Sequence, residues 1–115
     1  MAVTITLSSN STADSLDLTL GISNKGQNAA MAMWKVTLPD GLILEQPYAP
    51  FEGAKDLAVS VDAEIGHWKI NLAKLSKEQR DNLLTSSVKA VGTVTGDGDT
   101  YAIEDVKEFK QLLNA

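Results

Sequence analysis

His67 is the only histidine in this chain, and histidine is the residue type most used for proton transfer. Asp62 and Glu64 precede it closely, and either carboxylate could orient its ring as a general base. Ser60 supplies a hydroxyl of the kind such a base activates. Sequence nearness is weak evidence here, because neighbours on an alternating strand point to opposite faces. Trp68, Ile70 and Leu72 claim the buried side of that strand, which leaves His67 facing solvent. A second constellation, Gly96-Asp97-Gly98-Asp99 with Glu104 and Asp105 beyond, offers oxygens to calcium. Tyr101 and Ala102 stand where an EF-hand loop would place a ligand and a glycine, so the run reads as a hairpin turn.

There are no cysteines, which removes disulfides, thiolate metal sites and a cysteine nucleophile together. No phosphate-binding loop, dinucleotide fingerprint or G-x-S-x-G elbow is present. The expectation is a non-enzyme with no catalytic residue, no metal and no cofactor.

Contact chemistry is better represented. Met31 and Met33 alternate with Ala30, Ala32 and Trp34, so if Trp34 points inward the methionines form an apolar outer strip. Tyr48 and Phe51 flank Pro47, Ala49 and Pro50. They either plug the open end of the fold or present a ring to a sugar or a partner side chain. Trp34 and Trp68 are in phase with aliphatic neighbours, which predicts core positions.

The elements that must hold these residues follow from period-two alternation. Val3, Ile5 and Leu7 predict one strand, and Leu16, Leu18, Leu20 and Ile22 a second, joined by a small polar connection. Trp34, Val36 and Leu38 centre a third, which Pro39-Asp40-Gly41 turns into the short Leu42-Ile43-Leu44. The run E-Q-P-Y-A-P-F-E-G carries two prolines and cannot lie in a central ladder. A fifth strand is expected to bury Leu57, Val59 and Val61, and a sixth Trp68, Ile70 and Leu72. Ser76 and Gln79 have capping-box spacing and predict a short helix near 76–84. Val88, Ala90, Gly92 and Val94 make a seventh strand, and Tyr101 and Ile103 lie on an eighth.

The period then changes. Val106, Phe109 and Leu113 recur at helical spacing, predicting an amphipathic helix near 104–113. So short a helix needs a docking surface. Phe109 therefore joins Met31, Met33, Tyr48 and Phe51 as a candidate partner contact, and a homodimer is the simplest use of such a surface.

Composition agrees with one globular domain over 1–115: 43% hydrophobic, 22% charged, formal charge −5. Lys and Arg are scattered among acids, so neither nucleic acid nor an anionic membrane is expected as partner. The alternating N-terminus reads as a strand rather than a signal peptide. A cytoplasmic location is expected, or a secreted one if a leader was removed.

A strand ending in Asn24-Lys25-Gly26, followed by one ending in Leu38-Pro39-Asp40-Gly41-Leu42, resembles bacterial immunoglobulin-like domains. "WKINLAKLS…SSVKAVGTVTGDG" is similar to their last third. The resemblance implies an Ig-like antiparallel β-sandwich of seven to eight strands, and adhesion or scaffolding as activity, with no functional residue carried over. The expected function is a non-catalytic binding module acting through protein–protein contact or self-association. The alternative is a soluble carbohydrate-binding, lectin-like protein, and behind both stands a small enzyme centred on His67.

Overall fold

The computed structural model describes residues 2–96 and 98–113. Among them run β1 (Val3–Ser11), β2 (Ser15–Asn24), β3 (Ala30–Thr37), β4 (Ile43–Leu44), β5 (Glu52–Leu57), β6 (Asp62–Asn71), α1 (Lys77–Leu83), β7 (Ser87–Gly96), β8 (Asp99–Glu108) and α2 (Phe109–Leu113). The eight strands form two antiparallel four-stranded sheets, β1-β2-β6-β4 and β5-β3-β7-β8, packed as a sandwich. The fold is mainly β, as the alternation predicts.

That alternation sorts the side chains. On β2, Leu16, Leu18, Leu20 and Ile22 are sealed from solvent, while Asp17, Thr19 and Ser23 turn outward. Ala32, Trp34 and Val36 on β3, and Val88, Ala90 and Val94 on β7, meet them from the other sheet. Two indoles join the layers: Trp34 of β3 meets Trp68 of β6 edge to face, with centroids 6.5 Å apart. Trp68 lies across Gly66 of its own strand. A Cβ there would stand 2.9 Å from both Cζ2 and Cζ3 of the ring, so only glycine leaves room.

The turns are built from local chemistry. Ser76 caps α1: its hydroxyl accepts from the Gln79 amide (3.1 Å) and the Gln79 side chain accepts from the Ser76 amide (2.8 Å). Gly96 pairs with Asp99 across the β7–β8 hairpin, where Gly98 takes φ +80. Asp97, the other turn residue of the predicted calcium or hairpin loop, lies outside the described residues. Asn24 is the one buried polar side chain among the described residues. Its Nδ2 donates to the carbonyls of Asn28 (3.0 Å), Leu57 (3.4 Å) and Ala58 (3.3 Å), and its Oδ1 accepts from the Gly26 amide (3.0 Å). It thus ties the end of β2 to the end of β5.

Two predicted elements are displaced. The fifth strand is Glu52–Leu57 rather than a run burying Leu57, Val59 and Val61. The chain turns after Leu57, with Ser60 at φ 67 donating to the Asn24 carbonyl (3.0 Å), and this leaves Val59 exposed. The helix expected over 104–113 is a strand as far as Glu108, because β8 stays in register with β7 down to the pair Ser87–Glu108. Only Phe109–Leu113 is helical. Val106 pairs with Lys89 and is exposed, whereas Phe109 and Leu112 are buried in the sandwich.

At one corner β8 lies beside β1 and satisfies its free edge with side chains. The Leu7 amide donates to Asp105 Oδ2 (2.8 Å), and Lys107 Nζ donates to the Leu7 carbonyl (3.2 Å) and to Asp105 (3.1 Å). The Val3 amide donates to the Tyr101 hydroxyl (3.2 Å). The hydroxyls of Ser9 and Ser11 donate to the carbonyls of Leu112 and Leu113 (2.6 Å each), which fastens α2. An edge strand treated this way offers little to a foreign strand.

Candidate functional site

The outward faces of the two sheets differ in chemistry. On the first, Thr4, Thr6, Ser8 and Asn10 of β1 lie beside Ser23, Gly21, Thr19 and Asp17 of β2. His67 and Lys69 of β6 continue the last two rows. This surface is almost wholly polar. His67 Nε2 stands 3.4 Å from Asp17 Oδ1, and both side chains are well exposed. The carboxylate beside the histidine is therefore Asp17, brought across from β2. Glu64 pairs with Gly21 and Asp62 with Ser23, farther along the strand, and Ser60 sits in the turn before it. The pair lies on an open sheet face. It is a solvated surface contact of the kind worth at most about 1 kcal/mol.

The second sheet presents a different surface. The register aligns Ala54, Met33, Thr93 and Ala102 in one row across all four strands. On one side of it lies the row Asp56, Met31, Thr95 and Thr100, and on the other Glu52, Lys35, Val91 and Glu104. Met33 is 58% exposed and Met31 38%, and Val106 adds a third bare apolar side chain lower on the face. A shallow concavity of about 680 Å³ opens here, lined by Met33, Val91 and Ala102 together with the charged Lys35, Glu52 and Glu104. Met31 and Met33 thus stand where alternation puts them, outside, with Trp34 inside.

The remaining predicted residues divide. Phe51 stacks on Trp68 at 5.8 Å with ring planes 10° apart, and Trp68 Nε1 donates to the Ala49 carbonyl (2.9 Å). The P-Y-A-P-F loop therefore closes the sandwich over Trp68, which is the plug geometry. Tyr48 leans on Phe51 at 5.5 Å and keeps 47% of its surface in solvent. Phe109 has no exposed surface. It is a core residue of this chain and is not available to a partner, because α2 docks on its own sandwich. The acids near the β7–β8 hairpin do not converge: Asp105 is engaged with Leu7 and Lys107, and Glu104 lies on the methionine face. Among the described residues no group of three or more His, Asp or Glu side chains could hold a metal ion.

Pattern reading did not single out Glu52, Ala54 and Asp56, although all three border the methionine face. Nothing in G-A-K-D is strand-like by composition. The available signal was the edge chemistry itself, small and charged residues beside a proline-rich loop.

No family model matches the chain. No curated protein matches it either. Among solved structures, the crystal structure of a FixG-related protein from Vibrio parahaemolyticus is similar, with 10% sequence identity and a TM-score of 0.47. The match covers 92% of this chain and 94% of that one. No helix among the described residues is long and apolar enough to cross a membrane.

Proposed function

We propose that this chain is a non-catalytic binding module of immunoglobulin-like type that engages a protein surface through the outer face of β5-β3-β7-β8. The observation that carries the reading is the contrast between the two outer faces. One is a hydroxyl carpet, and the other exposes Met31 and Met33, with Met33 in a shallow concavity that Lys35, Glu52 and Glu104 also line. Methionine side chains are flexible and polarisable, and they suit surfaces that must adapt to a partner. A small apolar centre with a polar rim is the general anatomy of a protein interface.

The strand order supports the immunoglobulin-like type. β1-β2-β6 opposite β3-β7-β8 matches the A-B-E and C-F-G groupings of those domains. The chain departs from their order between β3 and β6, where the strand pairing with β6 comes before the strand pairing with β3.

A second copy of the chain is the simplest occupant of the face. Sedimentation equilibrium of wild type beside Met33→Lys tests it. Wild type is expected to rise above 12.3 kDa with concentration, while the variant stays monomeric and melts as wild type does. Wild type at the monomer mass across the whole range removes self-association. The glycan reading loses Trp34 and Trp68, which are buried, and keeps Tyr48, whose exposed ring rests on Phe51. A glycan array probed with wild type and Tyr48→Ala decides that case.

A further inference from the structure

The four sheet edges are not treated alike. β1 is capped by side chains of β8 and by α2, and β8 lies against β1. β4 is two residues long, and Pro47 follows three residues after its end. β5 is six residues long and ends its sheet. The Val36 amide donates to the Phe51 carbonyl (2.7 Å), so the two-residue alternation of an antiparallel ladder turns residues 51, 53, 55 and 57 toward β3. The backbone N–H and C=O groups of Glu52, Ala54 and Asp56 point away from the sheet. Among the described residues, no bond reaches that side of β5.

Side chains add a pattern to this open ladder. Glu52 and Asp56 flank Ala54 on the methionine face, and neither is in an ion pair among the described residues. At the start of β5 the edge runs into a cavity of about 340 Å³ lined by Val36, Leu38, Phe51, Lys35 and Thr37.

We infer that the β5 edge accepts an extended peptide segment of a partner protein as a ninth, antiparallel strand. That segment carries Lys or Arg opposite Glu52 and Asp56, a small apolar residue opposite Ala54, and an apolar side chain for the Phe51 cavity. Strand addition draws its affinity from main-chain bonds and its selectivity from alternate side chains, and β5 offers both. Charge complementarity selects the occupant. Two unpaired acids on a chain of charge −5 favour a basic strand. They disfavour a second copy: two-fold pairing of the whole strand, with Ala54 opposite its mate, sets Glu52 against Asp56 at both ends. The inference rests on the binding-module reading and names a partner class for the border of that face.

The probe is the capped peptide acetyl-Thr-Lys-Thr-Val-Thr-Lys-Thr-Val-amide, whose lysines fall opposite Asp56 and Glu52 and whose last valine reaches the Phe51 end, with a control in which glutamate replaces both lysines. Each is titrated into the ¹⁵N-labelled full chain and followed by amide shifts and hydrogen exchange. The basic peptide is expected to shift residues 51–57 and to slow exchange at Glu52, Ala54 and Asp56, with binding that weakens as salt is added. Ala54→Pro removes one outward N–H and no bond to β3, so it should keep the melting temperature and lose the peptide. The double variant Glu52→Lys/Asp56→Lys should bind the basic peptide roughly tenfold more weakly and prefer the acidic one. Equal binding of both peptides, binding retained in Ala54→Pro, shifts confined to Met31 and Met33, or no shift at millimolar peptide each overturns the inference. A concentration-dependent slowing of exchange at the outward amides of Glu52, Ala54 and Asp56 without peptide makes a second copy the occupant of the edge and overturns it too. Met33-dependent dimerisation is read from sedimentation, so the module reading can stand when the peptide fails.

Discussion

Gly66→Ala should destabilise the sandwich by about 1.5 kcal/mol although it adds a single methyl group. The new Cβ would stand 2.9 Å from Trp68 Cζ2 and Cζ3 and nearer still to Cη2. Carbon contacts are most favourable at about 3.5–4.0 Å, so the ring must retreat by roughly 1 Å. It has nowhere to go: Trp68 is fully buried, stacked by Phe51, edged by Trp34 and bonded through Nε1 to Ala49. Squeezing the ring in place is overpacking, about 1–3 kcal/mol. Swinging it out gives up a hydrogen bond and two aromatic contacts at about 1 kcal/mol each, near 3 kcal/mol in all. The cheaper route prevails. The stiffer unfolded chain returns about 0.5 kcal/mol, leaving a net loss of about 1.5 kcal/mol and a fall in Tm of roughly 6 °C. Urea melts followed by tryptophan fluorescence measure it. Gly21→Ala is the control, since a Cβ there meets nothing closer than the Ala63 carbonyl at 3.7 Å. It should be neutral or slightly stabilising. A Gly66→Ala protein within about 0.5 kcal/mol of wild type would refute the packing argument.

Asn24→Asp should cost about 2–4 kcal/mol in urea melts, because the side chain loses the amide that serves three carbonyls and brings a charge among them. Phe109→Ala should cost about 3–5 kcal/mol, and a thermal melt close to wild type would remove Phe109 from the core. His67→Ala should stay within about 0.5 kcal/mol and leave any measured binding unchanged, since its partner Asp17 is itself exposed. Asp105→Ala should cost about 1–3 kcal/mol and speed exchange of the Leu7 amide more than that of residues in β2. Equal acceleration in both strands would mean that the corner opens only with the whole fold.

Legibility followed the aliphatic side chains. β1, β2, β3 and β7, and β6 from Gly66 onward, bury mostly apolar residues at alternate positions, so burial and period agree and both could be read. β5 could not. Glu52 to Asp56 are all exposed, and only Leu57 turns inward, leaving no alternation to detect. Its last residue therefore seemed to begin a strand that in fact stops there. The end of β8 misled in the opposite direction. Asp105 and Lys107 turn toward β1, where polar side chains do the work of a neighbouring backbone, and their polarity let Val106 and Phe109 mimic a helical stripe. Of the site, the outward direction of Met31 and Met33 followed from Trp34 alone. The pairing of His67 with Asp17 did not follow, because it depends on the β2–β6 register, which shifts at Leu20/Gly21. The position of Phe51 over Trp68 likewise depends on where the proline loop lands, and composition does not encode that.

The corner where β8 attends to β1 also sets a clock. Leu7 and Val3 find their partners on residues 98 positions later in the chain, and Ser9 finds its partner 103 positions later. A ribosome adds about 5–20 residues per second, so a newly made β1 waits roughly 5–20 s before Tyr101 and Asp105 have even been joined to the chain. Throughout that interval β2 can pair with one side of β1 while the other side stands open to any strand that comes by. In the finished sandwich the edge is closed, so the hazard of mispairing belongs to the seconds of synthesis rather than to the working life of the protein.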